Sequence, residues 1–490
     1  MNRILICLGI FAIACSSLHA QVEVLSNNPV GLHWKKIETE NFRIIFPSSY
    51  EAGAQKMANT LEAIHAPEAK SLNALPKKID IVLQNQNSIS NGFVTIGPRH
   101  SEFFTSAPQN YTFLGTNDWM NLLAAHEYRH VVQYASSNTG ITKFFKIAFG
   151  QYTQAALTNL ATPNWFWEGD ATLTETVFTK SGRGRIPDFN RTFRANLLEG
   201  KNYKYDKQYL GSYKDFVPND YVLGYHFVSH VRRKADNNTI WADITGRAFS
   251  RAILPFAFSN SLKMYTGKNV KENYNEMLNE LKELWSNQIE QLELTAFETI
   301  NKRKNKVYTD YSNPMPLENG VILCLKSGVG SIQKFVTIHS DGKEEVIHTP
   351  GIMNNAGAFS LSGNSLVWNE FRYNPRYDNQ SYSVIESLSL TTKENQQLTK
   401  KTRFHSASLS PDGKSILTVE AKEDGEYEIV VVNASSGEIV KRFGNEPNTI
   451  YNLPSWSDNG EAFVYTKIND QGKSVVIRNY ETGIESVLIP

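Results

Sequence analysis

Cysteine is scarce in this sequence of 490 residues, which contains only Cys7, Cys15 and Cys324. The first two lie within residues 1–20, which have the charge, apolar run and small-residue end of an export signal peptide. We therefore expect the mature chain to begin at Gln21 and to retain Cys324 as its only thiol. It could form no internal disulfide, which excludes a small disulfide-stapled scaffold.

The segment Ala12-Ile-Ala-Cys15 is close to a lipoprotein signal. Alanine stands where leucine is usual, so we favour cleavage after Ala20 over lipid attachment at Cys15. Both interpretations predict an exported protein, located in the periplasm, on the cell envelope or outside the cell.

An excess of charge of one sign and a second long apolar run are also absent. The 50 Lys and Arg residues nearly balance 49 Asp and Glu residues, giving a formal net charge of +1. This balance argues against a nucleic-acid partner, which would select a basic surface. Beyond the signal peptide no apolar run reaches the roughly 18 residues that a membrane-spanning helix needs. We therefore expect a soluble or peripheral mature chain without a transmembrane span.

The stretch from Leu122 to Gln133 contains an HExxH motif, His126-Glu-Tyr-Arg-His130. Residues four apart lie on one face of a helix, so both imidazoles can reach one metal ion. Glu127 would lie beside the metal, where a carboxylate can take a proton from a water molecule. Thr116-Asn-Asp118 offers N-caps for this helix. The motif predicts the chemistry of a zinc metallopeptidase.

A zinc site in an enzyme needs a third protein ligand. Between His130 and Glu168 the sequence has no His, Asp, Glu or Cys, so Glu168 is the first candidate downstream. Its flanking residues, Trp165, Trp167 and Gly169, indicate a tightly packed segment. They weaken the alternative that Glu168 is an ordinary solvent-facing acid.

HExxH followed by Trp165-Phe-Trp-Glu168-Gly-Asp-Ala171 resembles the gluzincin metallopeptidases of the thermolysin and aminopeptidase-N-like clan. The resemblance implies a mainly helical α+β zincin domain that binds one Zn²⁺ through His126, His130 and Glu168. Glu127 would be its general base. In the aminopeptidase-like branch a YxxG sequence carries the tyrosine that stabilises the oxyanion, which falls on Tyr221 of Tyr221-Val-Leu-Gly224.

Alternatives remain at the helix that Tyr221 begins. Tyr225 could supply the hydroxyl group, or Tyr221 could serve packing alone. His226 and His230 are also four residues apart and could suggest a second metal site. They lack the glutamate and a nearby third ligand, so an ordinary helix face is the better interpretation, although His226 could also donate to an oxyanion.

Further polar residues near the motifs are candidates for supporting roles. Glu175 returns to the helical face of Glu168 and could hydrogen-bond a ligand histidine, or it could be an exposed acid. Arg183 and Arg185 could hold a substrate carboxylate, as could Arg191 and Arg194. The alternative for these arginines is solvation or pairing with local acids.

The N-terminal half predicts three strands and several helices. The strand before the zinc helix could pair with an extended substrate or could be a structural edge strand. The predicted strands are 40–47, 78–83 and 101–108, and the predicted helices are 50–75, 140–160, 221–234, 240–259 and 270–294.

The second half repeats a turn with glycine before an apolar strand, at Gly320, Gly363, Gly413 and Gly460. The spacing of roughly 45 residues is typical of four-stranded propeller blades. The turns Ser408-Leu-Ser-Pro-Asp-Gly-Lys and Pro454-Ser-Trp-Ser-Asp-Asn-Gly resemble the TolB-like propeller repeat. TolB-like propellers have more blades, so we expect about four blades of an incomplete propeller and a truncated chain.

These observations predict a multidomain protein: a signal peptide over 1–20, a gluzincin-like domain over 21–298, a linker over 299–309 and propeller blades over 310–490. The expected function is hydrolysis of peptide bonds by metal-activated water in an exported zinc peptidase. No GxMEN-like stretch precedes HExxH, which favours an endopeptidase over an aminopeptidase. The alternative is a non-catalytic envelope scaffold whose propeller binds a protein partner.

Overall fold

The computed structural model describes residues 27–301, 305–353 and 358–490. The predicted signal peptide, with Cys7 and Cys15, lies outside the described residues. The described chain has a mainly helical part that carries one mixed sheet, followed by four antiparallel sheets of four strands each. The first strand of the second part begins at Thr309.

The sheet of the helical part has five strands in the order β1-β2-β3-β5-β4. β2 runs parallel to β3 and β3 parallel to β5, whereas β1 and β4 are antiparallel to their neighbours. The strands are β1 (Trp34–Glu38), β2 (Phe42–Pro47), β3 (Ile79–Gln84), β4 (Gly92–Ile96) and β5 (Arg99–Phe104).

Both interpretations of the strand predicted at 101–108, a strand that pairs with substrate and a structural edge strand, are wrong. That segment forms β5, which already has β3 on one side and β4 on the other. Both of its hydrogen-bonding edges are therefore used within the sheet. Among the described strands, the free edge on this side belongs to β4, which the sequence patterns did not reveal.

Twelve α-helices occur among the described residues of the first part. Their bounds are α1 (Glu51–Ala69), α2 (Tyr111–Leu114), α3 (Trp119–Ser136), α4 (Gly140–Phe149), α5 (Gln151–Ala161), α6 (Asn164–Phe178), α7 (Arg191–Leu198), α8 (Tyr205–Leu210), α9 (Asp220–Ala235), α10 (Ile240–Ser250), α11 (Ala257–Thr266) and α12 (Val270–Glu290).

Two predicted long helices are each divided in two. Residues 140–160 form α4 and α5, separated by Gly150 with a φ of 87°. Residues 240–259 are interrupted after Ser250, before a segment that contains Pro255 and ends at Phe256 with a φ of 58°. Proline has no backbone N–H, and a positive φ cannot continue a right-handed helix, so the apolar spacing alone overestimated the length.

α3 carries the HExxH motif through the centre of the helical part. Asp118 caps its N-terminus by accepting from the backbone N–H of Asn121 at 3.1 Å. The helix packs on α1, on the edge strand β4 and on α6. Buried apolar side chains hold it there, among them Leu122, Tyr128 and Val132. α3 is therefore fixed on several sides, as a rigid support for a site requires.

Helices α6 and α9 cross with their backbones in direct contact. A Cβ atom on Gly169 of α6 would collide with the backbone of Gly224 on α9, and a Cβ on Gly224 would collide with the carbonyl of Trp165. Only glycine permits this approach. The glycines of WFWEGDA and YVLG thus place Glu168 and Tyr221 on helices that touch.

The second part consists of four sheets, each built from four strands that are consecutive along the chain. Each of the four repeat glycines lies in the turn between the first and second strand of a sheet, with φ between 54° and 73°. The predicted repeat therefore matches one sheet per unit. The strands are β6 (Thr309–Pro316), β7 (Ile322–Gly328), β8 (Ser331–Ile338), β9 (Glu344–His348), β10 (Phe359–Ser362), β11 (Ser365–Tyr373), β12 (Ser381–Ser389), β13 (Asn395–Gln397), β14 (Phe404–Leu409), β15 (Ser415–Ala421), β16 (Tyr427–Asn433), β17 (Ile439–Arg442), β18 (Ile450–Trp456), β19 (Ala462–Asn469), β20 (Gly472–Asn479) and β21 (Glu485–Ile489).

The two parts share one continuous hydrophobic core, which includes Leu61 and Val132 from the first part and Leu417 from the second. Polar contacts reinforce the junction. The backbone N–H of Ala107 donates to the Tyr427 hydroxyl at 2.7 Å. Cys324, the one cysteine among the described residues, is buried and unpaired.

Over the described ranges, no helix combines the length and the apolar character needed to cross a bilayer.

Candidate metal centre

His126, His130 and Glu168 converge at one point between α3 and α6. One ligand atom from each lies within 4.8 Å of the other two. Glu168 Oε2 is 3.4 Å from His126 Nε2 and 3.6 Å from His130 Nε2. Three ligands of a tetrahedral zinc ion at about 2.0–2.1 Å stand at similar separations from each other. These three residues therefore form a candidate metal site.

The unsatisfied atoms of the cluster also fit a metal ion. Glu168 Oε2 is buried and has no hydrogen-bond partner among the described residues. A buried carboxylate oxygen without a partner carries a desolvation cost, which a bound cation would offset. Two nitrogens and one carboxylate oxygen are the donor set that catalytic zinc sites use.

Neighbouring side chains orient both imidazoles. Glu175 Oε2 accepts from His126 Nδ1 at 2.9 Å, and Gln133 Oε1 accepts from His130 Nδ1 at 2.8 Å. Each histidine thus uses Nδ1 for a hydrogen bond, which directs Nε2 towards Glu168 as the atom that a metal ion would bind. The hydrogen bond predicted for Glu175 is present in the structure.

Sequence reasoning missed a buried ion pair that joins the two helices of the site. Arg129 on α3 makes a bidentate pair with Asp170 on α6, with distances of 2.6 and 3.0 Å. Gln133 Nε2 donates to the same carboxylate at 2.9 Å and to the Trp167 carbonyl at 3.0 Å. Arg129 and Asp170 occupy variable positions of HEYRH and WFWEGDA. The signal that could have revealed them was therefore charge inside two otherwise packed motifs.

Glu127 lies next to the ligand cluster and is buried. Burial raises the pKa of its carboxyl group, against the lowering effect of His126 and His130. At His130, burial opposes the charged form, but the nearby carboxylate of Glu168 outweighs it and raises the pKa to about 9. Without a metal ion, this imidazole therefore holds a proton that a bound ion would displace. For Glu168, the two histidines outweigh burial and lower the pKa. The cluster therefore favours an ionised Glu168.

Arg183 is largely buried behind His126 and does not face only the cleft. Its Nε and Nη2 donate to the two oxygens of Glu175, each at 2.7 Å. Burial raises the pKa of Glu175, but Arg183 outweighs this effect and lowers it to about 2. Arg183 Nη2 also lies 2.8 Å from His126 Nδ1. The Nη2 group of Arg183 already donates to Glu175. We therefore assign the Nδ1 proton of His126 to its own hydrogen bond with Glu175.

Arg185 points away from the ligand cluster. Its guanidinium donates to the backbone carbonyls of Thr176 and Thr179 at the C-terminal end of α6. Arginine commonly satisfies the free carbonyls at a helix end in this way. The structure therefore shows a capping role for Arg185 and does not place it at the metal site. Arg191 pairs with Asp188 at 3.1 Å on the surface.

Tyr221 stands beside the metal ligands at the first turn of α9. Its ring stacks on that of His126, with centroids 5.9 Å apart, and Arg183 lies over it at 4.7 Å. Burial, followed by the charge of Glu168, raises the pKa of the phenol, so it is protonated at neutral pH. Tyr225, the alternative, faces Phe189 and Gly184 instead.

The second histidine pair has different surroundings. His226 packs against the rings of Phe193 and Trp285, and burial lowers its pKa to about 3. His230 is buried and its Nδ1 lies 2.7 Å from Glu280. Within the described ranges, neither histidine belongs to a metal-ligating group of three.

The cleft extends to both sides of the candidate catalytic residues. Two adjoining cavities of about 500 and 370 Å³ are both lined by His126, Glu127 and Tyr221. Gly92 of the edge strand lines both cavities, and a Cβ there would lie 3.0 Å from Glu127 Oε1. A side chain at this position would therefore narrow the space between the edge strand and Glu127.

Comparisons with known proteins leave the family open. No family model and no curated protein matches this chain. Solved structures that are similar to it include TolB from Acinetobacter baumannii, with 20% identity and a TM-score of 0.29 over 34% of this chain and 41% of that one. A putative TolB from Agrobacterium tumefaciens shows 15% identity and a TM-score of 0.32, over 39% of this chain and 68% of that one.

The tricorn protease is also similar, at 12% identity and a TM-score of 0.27, over 38% of this chain and 17% of that protein. In the comparison with the Acinetobacter TolB, the chain spans less than half the length of that protein. Because the TM-scores are this low, the proposals below depend on the residues of the site and not on these neighbours.

Proposed function

We propose that this protein is a zinc-dependent peptidase. The observation that carries the proposal is the convergence of His126 Nε2, His130 Nε2 and an unpartnered Glu168 Oε2 beside Glu127. Support also comes from the hydrogen bonds of Glu175 and Gln133, which orient both imidazoles with Nε2 directed at Glu168. Zinc held by these residues would act as a Lewis acid that lowers the pKa of a water molecule and polarises the substrate carbonyl.

Glu127 would serve as the general base. It takes a proton from the attacking water and delivers it to the nitrogen of the leaving amine. A pKa raised by burial suits both steps, because the carboxyl group then exchanges a proton more readily near neutral pH. The adjacent Gly92 leaves the space in front of Glu127 open to a substrate.

The edge strand β4 would bind the substrate backbone. Gly92, Phe93 and Val94 line the cavity that contains His130 and Glu168. An extended peptide can add to such an edge through main-chain hydrogen bonds. The protonated Tyr221 hydroxyl would donate to the carbonyl oxygen under attack, where negative charge develops. Space on both sides of Glu127 supports an endopeptidase over an aminopeptidase.

The four sheets of the second part would form four blades of a TolB-like propeller. Consecutive sheets share buried clusters, such as the one that joins Leu325 and Phe335 to Leu366 and Trp368. A protein partner would bind this part. The proposed location is the periplasm or cell envelope, after export by the signal in residues 1–20.

Metal analysis combined with cleavage of a peptide library tests the proposal. We expect about one zinc per chain in both the wild-type protein and Glu127→Gln. The substitution should lower cleavage by roughly 10²- to 10⁴-fold, since it removes the general base and leaves the ligands. Absence of zinc, or cleavage that Glu127→Gln does not reduce, would overturn the assignment and favour a non-catalytic scaffold.

A further inference from the structure

Helices α4 and α5 form a hairpin that exposes large apolar side chains, here called the apolar hairpin (140–161). The neighbouring 251–256 loop exposes more of them. Single exposed apolar residues are common, whereas a contiguous group indicates an interaction site. The exposed fractions are 62% for Phe144, 76% for Ile147, 65% for Phe149, 68% for Tyr152, 69% for Leu160, 52% for Ile253, 53% for Leu254 and 79% for Phe256.

The hairpin and the loop form one surface. Their inner side chains share a buried cluster that includes Leu157 and Ala252. Thr142 on α4 donates to the Phe249 carbonyl at 2.8 Å, which ties the hairpin to the end of α10. On the outer side, Leu160 lines the same cavity as residues 253–256. Leu160 therefore adjoins the exposed residues of the loop, and the same hairpin carries the exposed side chains of α4.

The charge on this surface is of one sign. The long stretch between His130 and Glu168 contains no acid, and its only charged residues are Lys143 and Lys146. Lys146 lines a cavity of about 290 Å³ together with Lys77 and Arg99, and none of the described residues lining it is acidic. Burial, and then the charges of Arg99 and Lys77, lower the pKa of Lys146. These cations therefore repel one another.

Acids near this surface already have partners. Asp206, beside the cavity at the loop, pairs with Lys271 at 2.7 Å. Asp80, whose charge raises the pKa of Arg99, lies 3.3 Å from Arg43. The charges that act on Lys146 among the described residues are those of Arg99 and Lys77, and neither is acidic. The surface thus offers positive charge to an external anion.

We propose that the apolar hairpin and the 251–256 loop dock on an anionic phospholipid bilayer, with Lys77, Lys143 and Lys146 facing the headgroup phosphates. Phenylalanine, isoleucine and leucine on one face with lysine at the border is the composition of a helix that lies in a membrane interface. A second copy of the chain fits less well, because a twofold contact would bring the same cations together.

Docking would place the candidate active site at the membrane surface. Asn159 lines the cleft that contains His130 and Glu168, and its neighbour Leu160 belongs to the docking surface. One end of the cleft therefore opens beside the bilayer. If the proposed peptidase function holds, its substrates are polypeptide segments close to a membrane; the docking itself does not depend on that function.

Sedimentation of the purified chain with phosphatidylcholine vesicles, with and without phosphatidylglycerol, tests the proposal. We expect binding that requires phosphatidylglycerol and weakens with added salt. The variant F144S/I147S/F149S should bind at least about tenfold more weakly, because it removes apolar area that docking would bury. Its control is I332S/V346S, which alters exposed apolar side chains of the second part and should bind as the wild type does.

Substitution of the charged residues gives an independent test of vesicle binding. Lys143→Gln and Lys146→Gln should each weaken binding about fivefold, whereas Lys393→Gln should not. Lack of vesicle binding by the wild type would overturn the proposal, as would equal losses in the control variants. Self-association of the wild type that the triple serine variant abolishes would assign the surface to a second copy instead. Sedimentation does not measure cleavage, so failure of the peptidase assignment leaves this result interpretable.

Discussion

Two helices of this protein carry histidines four residues apart, and their surroundings differ. On α3, His126 and His130 direct Nε2 towards Glu168, while Glu175 and Gln133 hold the opposite nitrogens. On α9, the ring of His226 packs among aromatic side chains, and His230 contacts Glu280. Helical spacing is the same in both pairs.

The difference lies in what the neighbouring helix presents. α6 approaches α3 closely and brings a carboxylate to the two imidazoles. The side chains that meet His226 are Phe193 and Trp285, which offer no ligand. Spacing of four therefore places two nitrogens on one face, but a third ligand and partners for the far nitrogens decide whether the pair forms a metal site.

Replacing one histidine of each pair should have the largest effect. We expect His130→Gln to lower zinc affinity by more than the roughly 100-fold that outer partners of a ligand account for, because it removes a direct ligand. His230→Gln should retain about one zinc per chain. Metal content after dialysis against a weak chelator measures both, and equal zinc loss in the two variants would abolish the distinction between the pairs.

The ion pairs beside the two histidine pairs should also differ in how much they stabilise the folded chain. Asp170→Asn leaves the buried Arg129 charge unpaired and should lower the free energy of unfolding by about 3–5 kcal/mol. Glu280→Gln breaks contacts with the exposed Arg233 and with His230, and should cost about 1 kcal/mol. Urea unfolding of both variants gives the comparison. A similar loss in each would show that burial of the Arg129 pair is energetically unimportant.

Glu175 and Glu280, which contact His126 and His230, provide a third comparison, because their effects on zinc affinity should differ. Glu175→Gln weakens the orientation of His126 and should reduce zinc affinity by roughly 10- to 100-fold. In Glu280→Gln, zinc affinity should match that of the wild type, although His230 loses the same kind of partner. Competition with a chromophoric zinc chelator measures both affinities. An unchanged affinity in Glu175→Gln would contradict the supporting role of this residue.

The smallest effect is a pH dependence at His226. Burial, followed by the charge of Arg233, lowers its pKa to about 3 in the folded chain, whereas an unfolded histidine titrates near 6.5. The unfolded state therefore takes up a proton that the folded state refuses, and stability falls as the pH drops from about 6.5 towards 3.

The variant His226→Phe should flatten this slope by up to about 1.4 kcal/mol per pH unit. Phe193→Leu, which disturbs the same packing without removing a titrating group, should keep the slope. Urea unfolding at a series of pH values between 7 and 5 measures it. An unchanged slope in His226→Phe would mean that the histidine titrates normally in the folded chain.

Local patterns predicted the parts of the site that lie on single helices. The spacing of His126 and His130, the cap at Asp118 and the turn glycines of the second part are local, and the structure contains each of them. The ion pair of Arg129 with Asp170 depends on how two helices cross, which periodicity does not record.

Apolar spacing also failed to show which surfaces are covered. Helix α4 has the pattern of a helix with one buried face, yet Phe144, Ile147 and Phe149 are exposed. A pattern gives the face on which apolar groups lie, whereas coverage depends on the positions of other elements. For the same reason the sequence did not identify β4 as the edge strand beside the cleft.

Two missing methyl groups set the dimensions of the candidate site. Where Gly169 meets Gly224, an alanine on either helix would force α6 and α9 apart, and Glu168 and Tyr221 would separate with them. Under the proposed function, the reacting carbonyl would lie beside these two side chains. Gly169 and Gly224 therefore set the separation of Glu168 and Tyr221 without contacting a substrate. Their replacement would alter the proposed activity without changing any candidate catalytic group.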